Sequence, residues 1–259
     1  MKKSSQLAAM LLIGALQAMP ASAASFLFVR HAQSTANAAT ATSVEEYLNP
    51  PLTALGQQQA DSLVSALSGY DITTIYTSAY QRTQLTAAPL AAARGLTPIA
   101  DARTNEWYYG DATDLGQLGA AGVGSTLAAW AAGQPDAKPN LPNAESLIDL
   151  AARVIPAWTE IIQRHQNDPG VVVLVGHGAE TGYVMPFFAK NVGYDFAFAN
   201  GLQNTGIVQL DLINGQPYVT RWQGTALPVP EPSQWALMLG GLAAVGAWVR
   251  RRRAAGIAA

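Results

Sequence analysis

Val171 to Val175 is an unbroken apolar run made almost wholly of valine. A short β-branched run of this kind reads as a strand buried on both faces, as in the middle of a parallel sheet. A second run, Phe26 to Val29, has the same character. Each ends on a histidine: Arg30-His31 follows the first in the chain, and Gly176-His177-Gly178 the second. Open α/β sheets place ligands at the carboxyl ends of their strands. The pattern therefore delivers two imidazoles and a guanidinium to one ligand edge.

Between these runs, strand-like and helix-like segments alternate. Thr53 caps a helix whose Ala60, Leu63, Val64 and Leu67 follow helical spacing. Ile72 to Tyr76 reads as a strand, Tyr80 to Ala93 as a helix, and Thr97 to Ala100 as a short third strand. Residues 104–142, rich in Gly, Pro, Ala and Asp, form a long excursion with one helical piece, Leu115 to Ala132. An amphipathic helix starts at Glu145, carries its apolar stripe to His165 and bends at Pro156. A further helix covers Thr181 to Ala189, and Ile207–Leu212 with Tyr218–Trp222 make a hairpin around Asn214-Gly215. This alternation predicts an α/β three-layer sandwich, with a mostly parallel central sheet and helices on both faces.

The two ends read as processing segments. Lys2-Lys3, the apolar stretch Leu7 to Met19 and Ala21-Ser22-Ala23 compose a signal peptide over residues 1–23. At the other end, Pro230-Glu231-Pro232 precedes an uncharged stretch, Trp235 to Val249, and the cluster Arg250 to Arg253. As helix that stretch spans roughly 22 Å, short of a hydrocarbon core of roughly 30 Å, which suits a transient membrane anchor. The terminal segments hold six of the 15 basic residues, so nine remain against 17 acidic ones, Glu231 counted. A body of net charge about −8 argues against nucleic acid as a partner. Cysteine is absent, which excludes thiolate nucleophiles, disulfides and cysteine-based zinc sites.

A phosphate monoester is a dianion at neutral pH, so its attacker must be neutral, aimed and surrounded by positive charge. His31 meets that need when one ring nitrogen carries no proton and a backbone carbonyl holds the other. Arg30 and Arg82 supply planar forks that match phosphate oxygens. His177 adds a donor, and the N–H groups at the helix start after Gly178 extend the cradle. Asp111 and Asp114 lack the spacing of a metal site and read as solvated loop residues. His165 reads as structural. Glu145 reads as a partner of its helix N-terminus.

These blocks resemble the histidine phosphatase superfamily in its phosphoglycerate mutase-like branch. Arg30-His31-Ala32-Gln33-Ser34 with Asn37 is similar to the family's Arg-His-Gly-Glu-Ser/Thr opening. Leu52-Thr53-Ala54-Leu55-Gly56 through Ala60 is similar to its Leu-Thr-x-x-Gly segment. Tyr76 to Ala87 is similar to the block carrying the second arginine, and Gly176-His177-Gly178 completes the series. The resemblance implies a phosphoglycerate mutase-like fold over residues 24–225 and a phosphohistidine intermediate on His31, with no metal and no cofactor. It places a small phosphorylated substrate against Arg30, Asn37, Arg82, His177 and Gly178. It implies that Glu106, in Glu106-Trp107-Tyr108-Tyr109-Gly110, is the acid that protonates the leaving oxygen. A bound dianion and the neighbouring aromatics favour its protonated form. Ala32 and Gln33 replace the family's commoner Gly and Glu, which puts mutase-like substrate contacts in doubt. Residues 226–259 resemble the PEP-CTERM sorting signal, which implies export to the envelope of a Gram-negative bacterium and processing by an exosortase. The function so read is a metal-independent exported phosphomonoesterase. The alternatives are a phosphoglycerate mutase-like phosphotransferase and a non-catalytic phosphate- or glycan-binding envelope protein.

Overall fold

The computed structural model describes residues 25–230 and positions 241–242, 245–246 and 250. The expected leader, residues 1–23, lies outside the described residues, as does most of the tail from 226. No helix among the described residues is long and apolar enough to cross a membrane.

Strand β1 (Ser25–Arg30) is followed by a short helix α1 (Val44–Leu48) and by α2 (Ala54–Ala66). Then come β2 (Ile72–Thr77), α3 (Gln81–Arg94) and the two-residue β3 (Ile99–Ala100). The excursion holds α4 (Leu115–Ala120) and α5 (Val123–Ala131). The long α6 (Leu147–His165), β4 (Val171–Gly176), α7 (Gly178–Phe188) and α8 (Tyr194–Ala199) follow. The chain closes its sheet with β5 (Ile207–Ile213), β6 (Gln216–Trp222) and β7 (Thr225–Ala226).

The seven strands form one sheet in the order β3-β2-β4-β1-β5-β6-β7. The first four run parallel, while β5, β6 and β7 add an antiparallel ribbon, so the sheet is mixed. The β5–β6 turn places Asn214 at φ 53° and Gly215 at φ 72°, as a two-residue primed turn requires.

Burial explains the two apolar runs. Leu27, Val29, Val171, Val173 and Val175 pack under α2 and α3, while Phe26, Phe28, Val172 and Leu174 face the cluster that contains the α6 stripe. Both sets are buried, because helices cover both faces of β1 and β4.

The excursion departs from expectation: its single helical piece is two helices, broken at Gly122, which has φ 74°. Helix α6 starts two residues later than Glu145, because Ser146 caps it by accepting from Asp149 N. It runs through Pro156 as one element. Helix α7 starts three residues earlier than expected, directly after His177.

Candidate active site

Register brings the two histidines level. Arg30 pairs with Gly176 in the parallel β1–β4 ladder, and His31 N donates to Gly176 O at 2.9 Å. On the other side of β4, Ser78 N donates to Val175 O. Three neighbouring strands therefore end at one edge, where Arg30, His31, Ser78 and His177 collect. The imidazole centroids of His31 and His177 are 5.3 Å apart.

The hydrogen bonds of His31 determine its tautomer. Arg82 Nε donates to His31 Nε2 at 3.2 Å, and a guanidinium has no lone pair to offer in return. Nε2 is therefore the unprotonated nitrogen, and Nδ1–H donates to Ala32 O at 2.7 Å. Burial, then the charge of Arg82, holds the imidazole well below the usual histidine range. His31 is neutral at physiological pH, with its lone pair on Nε2.

His177 is wholly buried, and Nε2 bonds Ser78 Oγ at 2.8 Å. Its Nδ1 has no partner among the described residues. Burial, then Arg82, keeps this ring neutral too, so it offers a hydrogen bond and not a fixed positive charge.

The two arginines are held by carbonyls. Arg30 NH1 donates to Leu202 O, leaving Nε without a partner among the described residues. Arg82 NH1 donates to Leu48 O at 2.9 Å, and its guanidinium lies 4.6 Å from the Tyr80 ring centroid. Asn37 Oδ1 accepts from Ser34 N, Ser34 Oγ and Asn204 Nδ2 at 3.1–3.2 Å. Its amide N–H groups are thereby the part left to act as donors. Asn204 also donates to His31 O at 2.9 Å. Arg30, His31, Asn37, Arg82 and Glu106 all line one cavity of about 120 Å³.

The loop after His31 is clamped onto α2. Thr53 N donates to Gln33 O at 3.0 Å and Thr53 Oγ1 to Gln33 Oε1 at 2.8 Å. A Cβ on Gly56 would stand 1.9 Å from Gln33 O, so the Thr-x-x-Gly spacing serves a close backbone approach.

Glu106 sits at the N-terminus of α7. Its Oε2 accepts from Gly178 N at 3.1 Å and Ala179 N at 3.3 Å, and its Oε1 from Glu180 N at 2.9 Å. The N–H of Gly178, expected in a phosphate cradle, is thus donated to a carboxylate. A helix N-terminus is an anion seat, and here Glu106 holds it.

One residue takes a place the sequence did not assign. Glu145 is neither in the cavity nor on its helix dipole, because Arg153 binds both its oxygens, at 2.6 and 2.8 Å. Arg153 also donates to the carbonyls of Arg103, Asn105 and Glu106, which fixes the segment carrying Glu106. Asp111 accepts from Tyr108 and Asn143 side chains, and Asp114 caps α4. His165 joins Tyr76 OH to Asp168 and is structural. Among the described residues no group of three or more His, Asp or Glu is placed to hold a metal ion.

Glu180, one turn into α7, was not anticipated because nothing in its apolar surroundings marks it. It is 1% exposed, accepts from His177 N, Thr181 Oγ1 and Trp158 Nε1, and burial raises its pKa to about 7. The charges nearest it are Glu106, which raises the pKa, and Arg153, which lowers it. A carboxyl raised in the folded state contributes stability that is full below its unfolded pKa and lost as pH climbs through the folded one. From a reference of 4.5 to about 7, the loss is on the order of 3 kcal/mol. Glu180→Gln should therefore lose less stability than the parent between pH 5 and pH 8 in urea unfolding. Parallel losses in the two proteins contradict the assignment. His31 and His177, both lowered, act with the opposite sign at acid pH, so only the difference between the proteins isolates Glu180.

Comparisons with known proteins show the family and the fold. The profile described as the histidine phosphatase superfamily (branch 1) matches residues 26–225. Residues 228–253 match the PEP-CTERM protein-sorting motif. Among solved structures, mycobacterial hydrolase 1 matches with a TM-score of 0.65 at 25% identity, over 79% of this chain and 100% of that one. The mycobacterial glucosyl-3-phosphoglycerate phosphatase matches with a TM-score of 0.63 at 25% identity, over 78% of this chain and 100% of that one. The phosphoserine phosphatase of Entamoeba histolytica shares the fold, with a TM-score of 0.60 at 19% identity over 78% of this chain and 98% of that one. A PE-PGRS family protein of Mycobacterium tuberculosis, PE_PGRS11, is 42% identical over 113 residues, 42% of this chain. The aligned part is 19% of that protein, so the chain spans about one fifth of its length.

Proposed function

The chain belongs to the histidine phosphatase superfamily, branch 1, and from that premise we propose that it is an exported, metal-independent phosphomonoesterase. The observation that carries the reading is the Arg82 Nε to His31 Nε2 contact at 3.2 Å, paired with the Nδ1 to Ala32 O bond. Together they set a neutral nucleophile with its lone pair toward a cationic cavity.

The phosphoryl group enters between the guanidiniums of Arg30 and Arg82, which offset its charge. Asn37 amide N–H groups remain available to its oxygens, while His177, buried behind the cavity wall, acts through its bond to Ser78 Oγ. His31 Nε2 attacks phosphorus in line, forming the N–P bond as the P–O bond to the leaving group breaks. The incoming dianion competes with the Glu106 carboxylate for the N–H groups opening α7. Glu106 takes up a proton from solvent as it yields that seat, gives it to the leaving oxygen and is left as a carboxylate. Water then attacks the phosphohistidine, the O–P bond forming as the N–P bond to His31 breaks; Glu106 takes the water's proton and returns it to solvent as phosphate leaves.

Glu106→Gln should slow an alkyl phosphate by about 100-fold and p-nitrophenyl phosphate by less than about 10-fold, since only the poor leaving group needs a proton. Equal slowing of both removes the acid role. Hydrolysis of p-nitrophenyl phosphate by the purified protein in EDTA tests metal independence, and activity lost on chelation and restored by a divalent ion overturns it.

Export rests on the leader read at residues 1–23 and on the PEP-CTERM match at 228–253. Processing by an exosortase places the mature protein in the periplasm or outer envelope of a Gram-negative bacterium, after a transient inner-membrane stage. Mass spectrometry of the mature protein should find an N-terminus near Ala24 and no arginine cluster, whereas intact ends refute the sorting reading.

A further inference from the structure

A second, larger groove of about 580 Å³ shares Arg30, Glu106, Trp107 and Tyr109 with the cavity that holds His31. Its far walls carry Tyr183, Asn200, Gln203 and Gln223. We propose that this groove is the leaving-group subsite and that it takes an uncharged, polyhydroxylated alcohol, so that the substrates are glycosyl or polyol phosphates. The inference rests on the phosphomonoesterase reading and adds its substrate class.

Placement is the first argument. An acid that protonates a leaving oxygen must stand where the phosphoryl group ends and the alcohol begins. Glu106 borders both chambers, with His31 on one side only. A substrate whose phosphorus faces His31 therefore extends past Glu106 into the groove.

Charge is the second argument. Arg30 and Glu106 are the only ionised residues among the groove's lining, and both are engaged with the phosphoryl chamber. Arg30 NH1 is in addition taken by Leu202 O. A carboxylate or ammonium on the leaving group would find no free counter-charge there. A neutral alcohol needs none.

Hydrogen-bonding capacity is the third argument. The hydroxyls of Tyr109 and Tyr183 make no hydrogen bond to the described residues, and burial holds both phenols above their ordinary range, so each remains a neutral donor and acceptor. Gln203 has a single long amide contact, at 3.4 Å to Gly201 O. Amide and phenol groups of this kind pair with vicinal hydroxyls. The aromatic faces are rigidly set, since Tyr183 stacks on Phe198 at 4.4 Å and 11°, and Trp107 meets Tyr109 edge-on at 4.8 Å. A rigid apolar wall with a few convergent polar groups is the usual construction of a small-ligand site.

The test compares kcat/KM of the full chain for glucose 6-phosphate, O-phosphoserine, 3-phosphoglycerate and p-nitrophenyl phosphate. Glucose 6-phosphate should exceed the two charged leaving groups by at least about 10-fold. The Tyr183→Phe, Gln203→Ala double variant should lower the ratio of glucose 6-phosphate to p-nitrophenyl phosphate activity by about 10-fold or more. Circular dichroism confirms that the variant is folded. A preference for the charged substrates, or an unaltered ratio in the folded variant, overturns the subsite while leaving the phosphatase reading intact. Failure of the parent chain to hydrolyse any of the four overturns the phosphatase reading and the subsite with it.

Discussion

His31→Ala is expected to lower turnover of p-nitrophenyl phosphate by at least about 10⁴-fold, because no other residue in the cavity offers a neutral, aimed lone pair. Water would have to attack the phosphoryl group directly, with Arg30 and Arg82 still present to bind it. The account therefore expects kcat to collapse while inorganic phosphate remains able to compete for the site. His177 cannot substitute: it is wholly buried and its Nε2 is engaged by Ser78 Oγ. Rates within 10-fold of the parent in a folded variant remove His31 as nucleophile.

Arg82→Ala carries the second largest effect. Arg82 is 6% exposed, donates to His31 Nε2, and is the second-largest influence that keeps His31 neutral, after burial. Its loss removes one preorganised charge at the phosphoryl group, for which about 10² to 10³ in kcat/KM is expected. It also removes a cation that disfavours the imidazolium, so the pKa of His31 rises. Because only neutral His31 attacks, the acidic limb of the kcat/KM profile moves to higher pH. Arg82→Lys should restore little, since an ammonium cannot hold Leu48 O and His31 at once through a planar fork. A large rate loss with no movement of the acidic limb contradicts the electrostatic half of this account.

The strands carrying His31 and His177 were legible in the sequence because they are buried on both faces, which forces continuous apolar runs. The helices beside them were legible because each has one wet face, and α2 because Thr53 also marks its start. Residues 104–142 were harder to read. Small residues there give weak periodicity, and the break at Gly122 depends on a backbone angle that composition does not reveal. Glu145 was misread because its neighbour in sequence is a helix start, while its partner in space, Arg153, lies two turns along that helix. Asn204 and Glu180 gave no signal at all. One is a loop amide that matters through its bonds to His31 O and Asn37. The other is a lone carboxyl inside a helix that is apolar on most sides.

The central claim is a covalent bond between phosphorus and His31 Nε2. The direct measurement is to mix the full chain with a labelled phosphomonoester, quench in alkali within the first turnover, and map the label by peptide mass spectrometry. The account predicts acid-labile, base-stable phosphate on the peptide containing His31, absent in His31→Ala. Label on another residue, or acid-stable label, or multiple turnovers with no labelled protein at any quench time, contradicts it.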